Sequence, residues 1–245
     1  TFEISYISYS SNLFMDYSLI FLRSLAFNLL FFTISIFIGF FLFPFLISSS
    51  LTIKISHKWA LITIYLLKKI CKIEIEINKK NLNKYFNNQV LFAVRHESVL
   101  ETILFLAYFS NIKYIVKKEL LYVPFYGQFV WRCGHIIIDR KEQSKTIFLM
   151  LKKIKLLLTK KENLVLFPHG TRVKYRAKVH IKPGIYAIYK HLKIPVIPVY
   201  MASGHVWDKK GFIKNPGIVK VTFFDSIESG YSKEKFLKLL NSKLN

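Results

Sequence analysis

A histidine and a glutamate stand five residues apart in RHESVLET, residues 95–102. A carboxylate touching one nitrogen of an imidazole fixes its tautomer and leaves the other nitrogen to act as a base. On one regular helix His96 and Glu101 point about 140° apart, at ~100° per residue. They meet only if His96 precedes the helix and the chain curls back over its first turn. The same residues have a second use. Ser98-x-x-Glu101 has the form of a capping box. In that box the serine oxygen accepts from the glutamate backbone N–H and the glutamate side chain reaches back. His96 is then an exposed residue at a strand end. The local residues leave both readings open.

Three later stretches carry further chemistry. In FPHGTR (167–172), Gly170, Thr171 and Arg172 follow a buried strand. Loop N–H groups and a planar guanidinium suit a phosphate, although a glycine turn with a surface arginine fits too. Lys174, Arg176, Lys178 and Lys182 continue the basic run. GHIIIDR (134–140) puts Arg140 at the C-terminal end of a strand, as an anion contact or as half of an exposed Asp-Arg pair. IPVIPV (194–199) carries two prolines in an apolar strand. Proline is confined to edges and bulges, so this strand is expected to border a groove.

The elements that must position these residues alternate. Strands are expected at 72–78, 90–94, 113–117, 135–139, 163–167, 195–201 and 217–224. Helices are expected at 57–70, from Ser98, and at 144–158, 183–192 and 232–243. Such alternation describes an α/β domain with a mostly parallel sheet flanked by helices. Ligands in such sheets sit at the C-terminal strand ends, where His96 falls.

An apolar N-terminal membrane-binding helical segment precedes this domain. Residues 25–47 contain no charge, and about 20 apolar residues span the hydrocarbon. Pro44 and Gly39 leave an interfacial helix as the alternative. Arg23 lies upstream of the run, and Lys54, Lys58, Lys68 and Lys69 lie downstream, which places the downstream side in the cytoplasm. Residues 1–14 carry no motif and read as a frame extension or a disordered tail. Residues 15–50 form the membrane segment, and 51–245 the α/β body.

The 245-residue chain is 52% hydrophobic and carries a net charge of +23. That pairing points to an anionic membrane surface. Nucleic acid is the other partner such charge admits, but no nucleic-acid motif is present. Lysine, asparagine and isoleucine are abundant throughout, so much of the charge is a solvated surface. Cys71 and Cys133 lie in no metal-ligand spacing, and neither a metal nor a disulfide framework is implied.

The order of the blocks adds what none carries alone. RHESVLET, IIIDR, FPHGTR and KPGIYAIYKHLKIPVIPV follow one another at a spacing that resembles the glycerolipid acyltransferases. Within them the chain resembles the 1-acyl-glycerol-3-phosphate (lysophosphatidate) acyltransferases, from about Arg23 to about Val221. The resemblance implies His96 as the base and Glu101 as its supporting acid. It implies Arg172, Arg140, Gly170, Thr171 and Lys182 as the acceptor-phosphate site. It implies an acyl group moved from acyl-CoA or acyl carrier protein to a lysophospholipid, with no bound cofactor. The setting it implies is the cell inner membrane, with the catalytic side cytoplasmic. Where the family has aspartate this chain has Glu101, and where it has glutamate before Gly-Thr-Arg this chain has His169. Gly134 stands where the family often has lysine.

Overall fold

The computed structural model describes residues 2–41, 48–77, 89–109, 112–124, 126–139, 143–159 and 162–245. Helix α1 spans Phe2–Phe41. Residues 2–14, expected as an extension or tail, are thus helical in backbone. No proline or glycine interrupts the sequence before Gly39, so nothing local stops the helix. Helix α2, Ser49–Cys71, starts at the Ser48 cap and ends on Lys72 in the left-handed conformation. Its buried stripe is Thr52, Ser56, Ala60, Thr63, Leu67 and Cys71. The steps of three and four make one helical face, and the small side chains let α1 and the body approach closely.

Seven strands follow: β1 Ile73–Ile77, β2 Leu91–Val94, β3 Ile112–Lys117, β4 Ile136–Ile138, β5 Asn163–Leu166, β6 Val196–Met201 and β7 Gly217–Phe223. They form one sheet in the order β1-β7-β6-β2-β5-β3-β4. Every pair is parallel except β6 with β7. The helices between and after them are α3 Leu100–Tyr108, α4 Tyr126–Arg132, α5 Gln143–Thr159, α6 Gly184–Leu192 and α7 Lys233–Leu244, with a 3-10 helix at Lys118–Tyr122. All four residues of β2 are buried because both faces of the sheet are covered. Phe92 and Val94 pack into the core beneath α2 and α3. Leu91 and Ala93 face the opposite core, with Ile154 of α5, Ile185 of α6 and Phe236 of α7.

Pro198 of β6 does not mark a groove. The strand is interior, paired with β2 on one side and β7 on the other, with Pro198 opposite Ala93. Val199 pairs with Phe223 while Val196 bridges Ile227. Three steps on β6 therefore meet four on the partner, and Pro198 lies at that offset. The proline is tolerated at a bulge, where a ladder N–H is not needed.

The body grips α1 by one buried lysine. The Lys214 ammonium donates to the carbonyls of Gly211 at 2.6 Å and Phe212 at 3.0 Å, and to the Asn28 side-chain oxygen. It also lies over the rings of Trp207 and Phe27, at 4.7 and 5.1 Å. Burial pulls its pKa down to about 8. Beyond this grip α1 runs on along α2, where the Trp59 indole N–H donates to Ser35 Oγ at 3.0 Å, while Phe32, Ile36, Phe37, Phe40 and Phe41 on its other side are exposed. Among the described residues, Asp16–Phe41 is the one stretch long and apolar enough to cross a membrane.

Candidate active site

Strand β2 ends at Val94 and α3 begins at Leu100, so residues 95–99 form the loop at a C-terminal strand end. His96 Nδ1 lies 3.1 Å from Glu101 Oε2. The loop brings them together as the spacing required: His96 sits before the helix and the chain turns back. Glu101 is fully buried, and His96 keeps 15% of its side chain exposed. With Nδ1–H donating to the carboxylate, Nε2 carries the free lone pair.

The capping and catalytic readings of Glu101 coexist. Oε2 accepts from the Ser98 backbone N–H at 2.9 Å, the backward reach of a capping box. The forward half differs, because Ser98 Oγ accepts from Leu100 N–H at 3.1 Å instead of from Glu101. Oε1 accepts from the backbones of Glu97 and Ser98 and from the Ser203 hydroxyl. A buried carboxylate costs several kcal/mol unless such partners surround it. Here they also lock its orientation toward His96.

Several supporting residues have no signal in the sequence reading. Phe167 stacks on the His96 ring, with centroids 3.9 Å apart and planes 17° apart. Arg95 and Glu97, on either side of His96, form a buried pair at 2.7 Å. Arg95 also donates to Leu244 O, Asn245 Oδ1 and Ala177 O, and Glu97 accepts from Gly204 N–H at 3.0 Å. One ion pair so ties the catalytic loop to α7 and to the loops after β5 and β6. The alternation of 95 and 97 about His96 could have suggested a same-side pair. Ser203, 102 residues from Glu101, could not have been found by spacing.

The FPHGTR loop lies alongside. Val173 N–H donates to His96 O at 2.8 Å, which fixes Arg172 next to the catalytic loop. Gly170 adopts φ +74, and a Cβ there would stand 3.1 Å from the Lys182 stem. Only glycine takes this conformation easily and makes that room. The expected use of its N–H for phosphate is corrected: that N–H closes the turn on Phe167 O at 2.9 Å. Thr171 and Lys182 are exposed and Arg172 is half-buried. Arg140 lies outside the described residues. Lys117, which the sequence reading did not single out, ends β3 exposed at the same edge of the sheet.

His169 departs from expectation. It is 2% exposed, and neither ring nitrogen makes a hydrogen bond of normal geometry. Burial first, and then the Arg95 guanidinium, push its pKa down to about 4, against a smaller upward pull from the Val179 backbone. A phosphate contact through a protonated His169 does not fit a neutral ring packed under the loop.

The fold, the His96–Glu101 pair and the glycine loop beside it define a class. The family model described as Acyltransferase matches residues 73–202, more than half of the chain. The chain belongs to the acyltransferase family and is an acyltransferase. It is 25% identical over 187 residues to the 1-acyl-sn-glycerol-3-phosphate acyltransferase of Pseudomonas aeruginosa, covering 76% of this chain and 72% of that one. It is 29% identical over 171 residues to the enzyme of the same name from Helicobacter pylori, covering 69% and 72%. The fold matches the crystal structure of the 1-acyl-sn-glycerophosphate (LPA) acyltransferase PlsC from Thermotoga maritima. That match has a TM-score of 0.70 at 19% identity, covering 90% of this chain and 92% of that one. The apolar stretch Asp16–Phe41, long enough to cross a membrane, suggests membrane association.

Proposed function

We propose that this acyltransferase moves a fatty acyl group from a thioester to the sn-2 hydroxyl of lysophosphatidate, giving phosphatidate for phospholipid synthesis. The observation that carries the chemistry is His96 Nδ1 at 3.1 Å from the buried Glu101 carboxylate, which leaves Nε2 as the base. Nε2 takes the hydroxyl proton as the acceptor oxygen attacks the thioester carbonyl. The C–O bond forms, the C–S bond breaks, and the imidazolium returns its proton to the departing thiolate. Glu101 stabilises the imidazolium in between. Stacking on Phe167 fixes the ring plane.

The acceptor phosphate is assigned to Arg172, with Lys182, Thr171 and Lys117 around it. This assignment is supported by their place beside His96 and at the C-terminal edge of the sheet. The donor is acyl-CoA or acyl carrier protein. Residues 15–50 serve as the membrane segment, in the cell inner membrane, with the body on the cytoplasmic side. The relatives named for 1-acyl-sn-glycerol-3-phosphate support this acceptor. The test is acyl transfer by membranes carrying the chain, with lysophosphatidate and glycerol-3-phosphate offered separately, each with both donors. Phosphatidate formed from lysophosphatidate and lost in His96→Ala is the expected result. Transfer to glycerol-3-phosphate alone overturns the acceptor.

A further inference from the structure

The 3-10 helix and α4 carry a surface that acyl transfer itself does not use. Tyr122 is 76% exposed and Trp131 59%, with Val123 and Tyr126 also exposed. These side chains are held out by a firm platform. Gly127 crosses the 3-10 helix so closely that a Cβ would stand 1.9 Å from Leu121 O, and Val130 and Cys133 are buried beneath. Large exposed aromatics on a well-packed platform mark a contact surface.

We propose that this face is a second membrane contact, an interfacial lip resting on anionic lipid headgroups beside the entrance to the active site. Tyrosine and tryptophan suit the level of the headgroups, with an apolar body and a polar tip. The charge matches: with Lys118 set against Asp139 at 3.3 Å, Lys117 and Arg132 still outnumber Glu119 in this segment, and Arg132 lies over the Trp131 ring at 4.4 Å. Anionic lipid attracts such cations. The platform packs on helix α2, whose Ser56 meets Cys133 at 3.5 Å, and α2 in turn packs along α1. The face also borders the site, because the 3-10 helix follows directly on Lys117 at the C-terminal end of β3. A lipid acceptor at the bilayer surface is so delivered beside the residue assigned to its phosphate. This last point rests on the acceptor being lysophosphatidate; the membrane contact does not.

The test uses the full chain in phosphatidylglycerol–phosphatidylethanolamine vesicles whose acyl chains are brominated close to the headgroup. Of the tryptophans Trp59, Trp131 and Trp207, only Trp131 belongs to the lip. The difference in quenching between the unaltered chain and Trp131→Phe reports its contact with lipid. The expected result is a quenched Trp131. The double variant Tyr122→Ser, Trp131→Ser is expected to raise KM for vesicle-borne lysophosphatidate roughly tenfold, with KM for a short-chain, monomeric analogue unchanged. An unquenched Trp131 overturns the lip, and so does an equal rise in both KM values. Loss of a dimer in the double variant, seen by sedimentation, assigns the face to a second copy and also overturns it. Quenching needs no turnover. A quenched Trp131 in a chain that acylates no lysophosphatidate leaves the lip standing and removes the acceptor reading.

Discussion

The loop 95–99 and the loop 167–173 lie side by side, joined where Val173 N–H meets His96 O, and each holds a histidine. His96 has a carboxylate on Nδ1, an aromatic ring on its face and solvent at its remaining edge. His169 is buried, close to the Arg95 cation, and has no hydrogen bond of normal geometry on either nitrogen. A base needs one nitrogen held and the other open. A histidine closed on all sides is a packing group whatever motif it sits in. The motif block alone does not separate the two roles; the carboxylate partner and the open edge do.

Breaking the first half of the contrast should have the largest effect. His96→Ala is expected to lower kcat by roughly 10²- to 10⁴-fold with folding retained, the usual contribution of a general base. Stopped assays on membranes of matched protein content measure it. Turnover within a few-fold of the unaltered chain would place the base elsewhere. Next comes the ion pair that holds the loop. Arg95→Met leaves Glu97 buried without its cation, which costs on the order of 3–5 kcal/mol. Thermal unfolding in detergent should show a large fall in Tm, partly recovered by adding Glu97→Gln. An unchanged Tm would mean that the backbone contacts hold the loop without the pair.

Much of the architecture was legible in advance, and the reasons are local. Strand β2 shows as an unbroken apolar run, and α5 shows as an amphipathic period. The His96–Glu101 contact could be stated as a geometric condition, a histidine ahead of the helix, and the chain meets it. Long-range pairs were not legible. Ser203 reaches Glu101, and Arg95 reaches the end of α7, through a fold that no spacing encodes. The groove inferred from Pro198 failed because a bulge accommodates a proline in an interior strand as well as an edge does. His169 was misread because FPHGTR reads as a polar glycine turn, while Pro168 and His169 are both buried in the fold.

Ser203→Ala tests such a long-range pair at a smaller scale. It removes one hydroxyl from Glu101 Oε1 and leaves the backbone donors in place. Losing a hydrogen bond to a charged group costs about 1.5–3 kcal/mol. A roughly tenfold fall in kcat is expected, with the acceptor KM unchanged and the acid limb of the pH–rate profile displaced. Ser203→Thr, which restores the hydroxyl, should recover the profile. A Tm loss without movement of the profile would reduce Ser203 to a purely structural residue.

The smallest effect sharpens the other half. His169 is held down to about 4 from an ordinary 6.5. Above 6.5 the ring is neutral in the folded and unfolded chain, and it adds no pH dependence. Between 6.5 and about 4 the unfolded chain binds a proton that the folded chain refuses, so stability falls as pH falls through that window. His135, buried and pushed down to about 3, acts in the same direction, so His169 accounts for only part of the slope. His169→Gln should lessen the fall in stability between about pH 7 and pH 5, followed by thermal unfolding, by an amount on the order of 1 kcal/mol. The acceptor KM of the same variant should keep the pH dependence of the unaltered chain, because a neutral buried ring holds no phosphate. If the glutamine removes a pH dependence of acceptor binding instead, His169 becomes charged in the bound complex. The two loops would then differ only in the free enzyme.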